Sequence, residues 1–499
     1  MKHYTELELC KLSKPARFRY KFVKFFAAIP GKFKNLGIKI GLFFKKLFFG
    51  IIHWFRDLGL TFWHGDWKTK VSFFIMGFGN ISRKQVLRGI LFLVFEAVFI
   101  FYMVVPGGGG TYLSRLYILG TRATVYLEDG TKIPGENSFN ILLYGVLSLF
   151  FIVAFIYTWY LNIKQNRINE EIIKDKKKLA TAKDDLRALV DENFHKTLLA
   201  LPTLGIIIFT VLPIFFMILV AFTNYDKDHY PPNNLFGWVG LDNFNQLFTW
   251  TNSGGASFSM TFGQILVWTL IWAFFATFTN YFLGMGVAML INKKGIKLKK
   301  VWRTVLVLSI AVPQFISILF VSNMFQLDGI INGIFHTNID FWNNPWLARI
   351  TVIVVNIWIG IPYLMLVVTG ILMNIPADLY ESASIDGANA FQQYTKITLP
   401  YMLFITGPYL LTSFTGNMNN FNVIYLLTGG GPNTNDYFGN GKTGRTDLLI
   451  TWLFKLAVGD EPDYKLAAVI GIMVFIVVAG LSLIVYNVLP STKNEEGFQ

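Results

Sequence analysis

Eight apolar stretches, each long enough to cross a bilayer, constrain this sequence more than any other feature. A helix needs about 20 apolar residues to span the hydrocarbon core. The 499-residue chain is 53% hydrophobic and only 15% charged. The eight stretches lie near 89–105, 140–161, 198–222, 264–291, 304–323, 350–374, 402–425 and 467–489. We therefore expect an all-α integral membrane protein with eight transmembrane helices, which excludes a purely soluble enzyme.

The positive charge is concentrated at the beginning of the chain. Residues 1–88 hold 18 Lys and Arg and four acidic residues, so their excess equals the net charge of +14 of the whole chain. Between Lys32 and Arg56, lysines interrupt Phe, Leu and Ile too often for a span, which is typical of a basic amphipathic helix on anionic lipid. A poorly ordered basic extension is the alternative. A nucleic-acid arm is not expected, because phenylalanines suit a DNA-facing surface poorly.

The distribution of Lys and Arg predicts the orientation in the membrane. Because eight is even, both termini share one side, and that side holds 35 of the 44 Lys and Arg outside the predicted spans. Cytoplasmic segments retain positive charge, so both termini are expected in the cytoplasm. The predicted organisation is a basic cytoplasmic or interfacial segment (1–88), two helices with a linker (89–197), a six-helix core (198–490) and a cytoplasmic tail (491–499).

Besides Pro490, which lies just after the eighth predicted span, five prolines lie within four of the later spans. They are Pro202 and Pro213 in the third span, Pro313 in the fifth, Pro362 in the sixth and Pro408 in the seventh. Each one removes a helical hydrogen bond. Bent helices around a polar path would satisfy the freed carbonyls, as in many transporters. Simple bends in packed helices are an equally good interpretation of any single proline.

Polar residues repeat with the same helical spacing in two predicted spans. The positions i, i+4 and i+7 are Ser413, Asn417 and Asn420 in the seventh span, and Asn356, Gly360 and Tyr363 in the sixth. Residues so spaced share one helical face. Amides, hydroxyls and an aromatic ring suit a neutral polyhydroxylated ligand. Hydrogen bonding between packed helices is an equally good interpretation. Glu96, the one acidic residue inside a predicted span, is expected to be protonated and hydrogen-bonded rather than functional.

The segment 375–401 is the one predicted cytoplasmic loop with more acidic than basic residues. Pro376 predicts the start of a short helix, Gly387 its break, and Ala388 the start of a second helix before Pro400 opens the seventh span. Small residues around the break would let a partner dock closely. The loop is therefore predicted to be a helical hairpin on the cytoplasmic face.

This loop resembles that of the permease subunits of binding-protein-dependent ATP-binding-cassette importers. Their pattern of E-A-A, then G, then I-x-L-P stands here as Glu381, Ser382, Ala383, then Asp386, Gly387, Ala388, then Ile397, Leu399, Pro400. Only Ser382 departs, as one small residue for another. The resemblance implies the type I importer permease fold and assigns these nine positions to coupling with an ATPase.

Within that family, residues 195–490 are similar to the MalF-like maltose and maltodextrin permeases. The resemblance implies that sugar contacts come from Gln314, Asn356, Ile359, Gly360, Tyr363, Ser413, Asn417 and Asn420. Position 310 belongs to the same set, but Ile310 and Gln314 stand where the maltose permeases have Tyr and Ser. The large external domain after the third span is absent from this sequence, since that loop covers only about 223–263.

The resemblance also implies function and partners. The expected function is import of oligosaccharides, foremost maltose and maltodextrins, by alternating access in a bacterial plasma membrane. Expected partners are a MalG-like second permease, a MalK-like ATPase dimer and an extracellular sugar-binding protein. ATP and Mg²⁺ would bind the ATPase subunits, with no cofactor in this chain. A permease for galacto-, raffinose- or xylo-oligosaccharides is the main alternative, followed by a membrane glycosyltransferase and a passive sugar channel.

Overall fold

The computed structural model describes residues 16, 20, 41–42, 45–128, 132–249, 257–293, 295–439 and 441–488. The chain divides into two compact units, one of Met1–Thr111 with Leu147–Leu204, the other of Tyr112–Val146 with Gly205–Gln499. Of the helix predicted over Lys32–Arg56, residues 32–40, 43 and 44 lie outside the described part, and residues 45–64 form a largely exposed helix. The predicted tail 491–499 also lies outside it.

Helices long and apolar enough to cross a membrane occur at all eight predicted positions, if one bent pair counts as a single span. We number them spans 1 to 8. They are Val86–Val104, Ser138–Lys174, Phe194–Val220, Phe258–Asn292, the bent pair Lys299–Ala311 and Gln314–Met324, Pro345–Leu372, Ala390–Thr428 and Tyr464–Tyr486. The predicted all-α membrane fold is confirmed.

Short elements connect the spans. The helices are Trp67–Val71, Phe78–Ile81, Gly109–Arg115, Ala182–Val190, Asp242–Asn245, Ile330–Phe335, Ala377–Ile385 and Leu449–Val458. The last span extends as a helix over Tyr464–Val488. Two antiparallel strands, Val125–Tyr126 and Lys132–Ile133, form the one sheet among the described residues.

The prolines affect the spans in different ways. Pro313 stands at a 92° bend between the two halves of span 5. Pro213 and Pro400 each follow a π-helical turn, over Ile207–Val211 and Tyr394–Thr398. Pro362 and Pro408 lie inside helices that continue past them. Span 7 does not begin at Pro400 as predicted, because the π-helical turn lets the helix from Ala390 continue into it.

In the first unit, residues 66–85 pack against span 2 through a buried polar network. The Arg83 guanidinium, which is almost fully buried, donates to Asn166 Oδ1 at 2.6 Å and to Asp66 Oδ1 at 2.7 Å. Asn162 Nδ2 donates to the Ser72 carbonyl at 2.9 Å. Met76 N–H donates to Glu96 Oε2 at 2.8 Å, which gives Glu96 a structural partner. The end of the basic block is therefore a folded part of this unit.

In the second unit, spans 4, 6 and 7 form the core. Trp272, Tyr281 and Met285 of span 4 are fully buried, and they belong to two apolar clusters with residues of spans 6 and 7. Small residues on span 4, such as Gly284, let span 6 approach closely. Span 5 bends beside this bundle, so its break lies next to the polar faces of spans 6 and 7.

Candidate functional site

A cavity of about 460 Å³ lies at the break of span 5, between spans 4, 5, 6 and 7. It falls within the 300–1,000 Å³ that is usual for small-molecule sites. All eight residues expected to contact sugar line it, and so does Ile310: Gln314, Asn356, Ile359, Gly360, Tyr363, Ser413, Asn417 and Asn420. The structure thus brings together residues from three separate spans. That these residues bind a sugar stays a prediction.

The bend in span 5 opens this cavity. The chain leaves helical geometry at Val312 and Pro313, both in extended conformations, and a new helix begins at Gln314. Proline cannot donate a backbone hydrogen bond and disfavours helix for the residue before it, which explains the break at this point. Ile310 and Gln314, the two positions that differ from maltose permeases, flank the bend and are exposed to the cavity.

Two asparagine amides meet at the wall of the cavity with unpaired polar atoms. Asn280 Nδ2 of span 4 donates to the Asn356 carbonyl of span 6 at 3.4 Å. Asn280 Oδ1 and Asn356 Nδ2 are buried without a partner, one an acceptor and the other a donor. A buried polar atom without a partner is costly unless a ligand or water completes it. A hydroxyl can donate to one atom and accept from the other, so this pair suits a polyol.

Gly360 makes that arrangement possible. A Cβ at this position would lie 2.2 Å from Asn280 Nδ2 and 2.7 Å from its Cγ, well inside van der Waals contact. The absence of a side chain at Gly360 therefore lets the Asn280 amide reach span 6. The structure thus identifies Asn280 as the side chain that packs against Gly360.

Asn417 and Asn420 take part in helix packing as well as lining the cavity. Asn417 Nδ2 donates to Thr277 Oγ1 of span 4 at 3.0 Å, and its carbonyl accepts from Trp272 Nε1 at 3.0 Å. Asn420 Oδ1 accepts from Val423 N–H and so caps the helix after the bend at Asn419. Both interpretations of this polar face, ligand lining and helix packing, therefore have contacts that support them.

The lining of the cavity contains aromatic and polar residues and no ionisable acid or base other than tyrosine. Tyr363 is half exposed, and Trp358 and Tyr409 lie nearby in the same lining. Flat aromatic faces suit the apolar faces of sugar rings, and an ionic ligand would usually recruit an opposite charge. The lining therefore favours a neutral ligand with hydroxyl groups.

Among the lining residues that sequence reasoning missed are one amide, Asn280, and two aromatic residues, Trp358 and Tyr409. Asn280 could have been found, because an amide inside an apolar span needs a polar partner just as Asn356 and Asn417 do. Trp358 and Tyr409 carried no such signal, since aromatic residues are frequent throughout this sequence.

The segment 376–400 is a helical hairpin whose second arm continues into span 7. The helix Ala377–Ile385 begins after Pro376 as predicted and ends in a Schellman motif, with Gly387 N–H donating to Ser384 O and Ala388 N–H to Ala383 O. Gly387 has a φ of +78°, which favours glycine over other residues. Asn389, not Ala388, then caps the next helix through a capping box with Gln392.

The nine residues expected to couple to an ATPase occupy different parts of this hairpin. Glu381, Ser382, Asp386 and Gly387 are exposed, and Ala383 and Ala388 are partly exposed at the turn. Ile397 and Leu399 are half-buried where the π-helical turn leads into span 7, and Pro400 is exposed. Tyr380 and Thr398 hydroxyls lie 2.8 Å apart and tie the two arms together. The hairpin therefore presents its turn as one preformed surface.

At the opposite end of spans 6 and 7, charged side chains tie the loops to span 8. Asp226 contacts Lys465 and His229. Burial opposes ionisation of Asp226, but the hydrogen bonds from Lys465 and His229 outweigh it and lower the pKa of this carboxyl. Burial raises the pKa of Asp447, although Lys455 partly compensates. In the same loop, the Lys442 N–H donates to the Gly439 carbonyl at 3.0 Å and closes a turn.

Comparison with known proteins decides the family. MalC, the maltodextrin transport system permease protein of Streptococcus pneumoniae serotype 4, is 34% identical over 456 residues, which cover 86% of this chain and 97% of MalC. The chain belongs to the permeases of binding-protein-dependent ABC transport systems. Similarity within this permease family extends well beyond the 195–490 expected from sequence motifs. Residues 280–493 also match the family described as binding-protein-dependent transport system inner membrane component.

Two further similarities place the permease among its relatives. GanP, the galactooligosaccharides transport system permease protein of Bacillus subtilis, is 33% identical over 435 residues, covering 84% of this chain and 97% of GanP. A crystal structure of a bacterial alginate ABC transporter with its periplasmic protein matches with a TM-score of 0.50 at 20% identity, covering 62% of this chain and 98% of that one. The second likeness shows the fold. The permease is thus a transport subunit rather than an enzyme.

Proposed function

We propose that this permease imports neutral oligosaccharides, foremost maltodextrins, through the cavity at the break of span 5. The observation that carries the proposal is the pair of unpartnered amide atoms, Asn280 Oδ1 and Asn356 Nδ2, in a lining without charged side chains. A sugar hydroxyl that reached this pair would donate to Asn280 Oδ1 and accept from Asn356 Nδ2. The names of relatives such as MalC support maltodextrin as substrate.

The assembly proposed around this chain follows from its family. The partners are a MalG-like second permease, a MalK-like ATPase dimer, which binds ATP and Mg²⁺, and an extracellular sugar-binding protein. The permease itself carries no cofactor. We place it in a bacterial plasma membrane with both termini in the cytoplasm, which the distribution of Lys and Arg supports.

The hairpin over 376–400 is proposed to dock on the ATPase. Ile385 and Phe391 flank its turn with 86% and 73% of their surfaces exposed, and Glu381 and Asp386 add charges that would orient a partner. Exposed apolar side chains rimmed by polar ones mark protein interaction sites. Closure of the ATPase dimer would move this hairpin and, through the continuous helix of span 7, the lining at Ser413 and Asn417. ATP can drive this change only through different affinities for the two states.

Uptake by the complete transporter tests the proposal. The transporter with its binding protein is reconstituted in vesicles, ATP is supplied on the ATPase side, and uptake of labelled maltodextrins is compared with that of galacto-oligosaccharides. We expect saturable, ATP-dependent uptake of maltodextrins. Preference for galacto-oligosaccharides, as the relative GanP suggests, would keep the mechanism and change the substrate. Uptake without ATP would indicate a channel and contradict the proposal.

A matched pair of variants tests the site. Tyr363 is half exposed to the cavity, so Tyr363→Ala removes lining without a large loss of packing. Val354 is similarly exposed on the same helix but does not line the cavity. We expect Tyr363→Ala to raise the sugar concentration for half-maximal uptake about ten-fold, corresponding to about 1.4 kcal/mol, and Val354→Ala to leave it unchanged. Equal effects of the two variants would argue against the site.

A further inference from the structure

A second cavity lies between spans 1 and 2, far along the chain from the transport site. This groove has a volume of about 660 Å³ and lies wholly within the first unit. Most of its lining is apolar, including Leu91, Phe92, Phe95 and Leu161, and Arg88 and Lys164 contribute two cations. No acidic residue belongs to that lining. The groove therefore combines an apolar wall with a positive rim.

The groove lies where the hydrocarbon core meets water. Spans 1 and 2 run antiparallel, because Phe99 stacks on Phe155 at 4.0 Å while Tyr102, further along span 1, contacts Ser148, earlier in span 2. Span 2 has 37 residues and measures about 55 Å at 1.5 Å per residue, much more than the ~30 Å hydrocarbon core. Its apolar run ends near residue 161, so Lys164 stands just past the hydrocarbon boundary. Arg88, in the first turn of span 1, lies at the same level.

The two cations remain available to a ligand. Lys164 is exposed, and its ammonium can reach the rim because long cationic side chains extend toward the interface. Arg88 forms an ion pair with Asp185, but its side chain is 30% exposed and a guanidinium has five N–H donors. Arg and Lys together suit a phosphate group, the first by paired hydrogen bonds and the second as a point charge.

We propose that this groove binds one phospholipid with an anionic headgroup. The phosphate would contact Arg88 and Lys164, and one acyl chain would lie along Phe92, Phe95 and Leu161. Charge complementarity selects an anionic lipid over a zwitterionic one, and the apolar wall selects a lipid over a soluble phosphate. The groove shares no lining residue with the sugar cavity and contains none of the hairpin residues.

Native mass spectrometry of the complete transporter tests the proposal. The transporter is titrated in mixed micelles with phosphatidylglycerol or with phosphatidylcholine of the same acyl chains. We expect one phosphatidylglycerol to be retained preferentially. Lys164→Gln should weaken its binding about five-fold, which corresponds to about 1 kcal/mol for one cation at an anionic surface. Because Lys164 is exposed, this variant does not endanger the fold.

Arg167→Gln is the matched control. Arg167 lies one turn further along span 2, is exposed, pairs with Glu171 and does not line the groove. The Arg167→Gln variant removes one positive charge, as Lys164→Gln does, at nearly the same depth. Because Arg167 does not line the groove, this variant should leave phosphatidylglycerol binding unchanged. If Lys164→Gln and Arg167→Gln weaken binding equally, the attraction is a general surface charge and the proposal is wrong.

A third variant tests the acyl-chain part of the groove. Thr158→Trp fills the apolar end and leaves both cations in place. We expect it to abolish preferential retention of phosphatidylglycerol, and we expect millimolar glycerol phosphate not to displace the lipid. Full retention in Thr158→Trp, or displacement by glycerol phosphate, would show a headgroup-only site and overturn the proposal.

Discussion

Replacing Gly360 with alanine should disturb both the stability of the permease and the proposed sugar cavity. The new Cβ would lie 2.2 Å from Asn280 Nδ2, so the Asn280 amide has to move by more than an ångström. That movement breaks its hydrogen bond to the Asn356 carbonyl. A buried hydrogen bond lost in this way costs about 1–3 kcal/mol, and bonds between membrane helices lie toward the lower end. We therefore expect a loss of about 1–2 kcal/mol.

Gly370→Ala is the matched control for this prediction. Gly370 lies in the same helix, and a Cβ there meets no atom within 4 Å. Both substitutions have the same effect on helix propensity, so their difference isolates the contact with Asn280. We would measure thermal unfolding of the purified transporter and ATP-dependent uptake. Gly360→Ala should unfold a few degrees lower and transport more slowly, whereas Gly370→Ala should match the natural protein.

A double-mutant cycle completes the experiment. In the double variant Gly360→Ala with Asn280→Ala, the amide that clashes is gone. Its loss of stability should therefore be smaller than the sum of the losses in the two single variants. The expected coupling is about 1 kcal/mol, within the range for residues in contact. If Gly360→Ala behaves like Gly370→Ala, or if the two losses simply add, then the close approach of Asn280 to span 6 does not exist as described.

Three further predictions concern the hairpin, the seventh span and the loops. A Cβ at Gly387 meets nothing within 4 Å in this chain, so Gly387→Leu should abolish uptake while leaving membrane insertion intact, and Gly387→Asn, which tolerates the same φ, should retain more uptake. If both variants transport as well as the natural protein, the docking role is contradicted. Asn417→Ala should lower uptake more than Thr277→Val, which removes the same hydrogen bond but leaves the cavity lining unchanged. Equal losses of uptake would indicate that Asn417 serves only in helix packing. Because folding lowers the pKa of Asp226, its ionised carboxylate stabilises the fold at pH values above 3.8, the ordinary pKa of Asp, and this stabilisation is lost as the pH falls further. Asp226→Asn should therefore flatten the decline in thermal stability from about pH 5 to pH 3, and an unchanged decline would exclude this carboxyl as its source.

The sequence predicted the spans well because the bilayer imposes a length and a composition on each one. Every predicted stretch corresponds to an observed helix or bent helix pair, and Pro313 marks the one sharp break in a span among the described residues. The π-helical turn before Pro400 was not predicted, because helical continuity there depends on how the backbone accommodates the missing donor rather than on residue type. The sequence pattern indicates where a helix is apolar, but it does not indicate whether the helix bends, breaks or continues at a proline.

The site was predictable where the chemistry is local and missed where it depends on distant contacts. Asn356 and Asn417 were found from their helical spacing, and the structure brings both to the same cavity. Asn280 reaches that cavity only because Gly360, 80 residues later, leaves room for it. The hairpin over 376–400 was predicted in nearly its observed form, since its Pro and Gly signals act within a few residues. Which face of the hairpin docks could not be predicted, because that depends on a partner chain.

The polar network around Arg83 sets a limit on how far the chain can be shortened from its beginning. Trimming up to about residue 60 would remove much of the positive charge and leave this network whole. Removing residues through 85 would delete Arg83 and Asp66 and strand the amides of Asn162 and Asn166, which are completely buried in span 2. Two shortened permeases that differ by only some 25 residues should therefore differ in whether the first helical pair holds together at all.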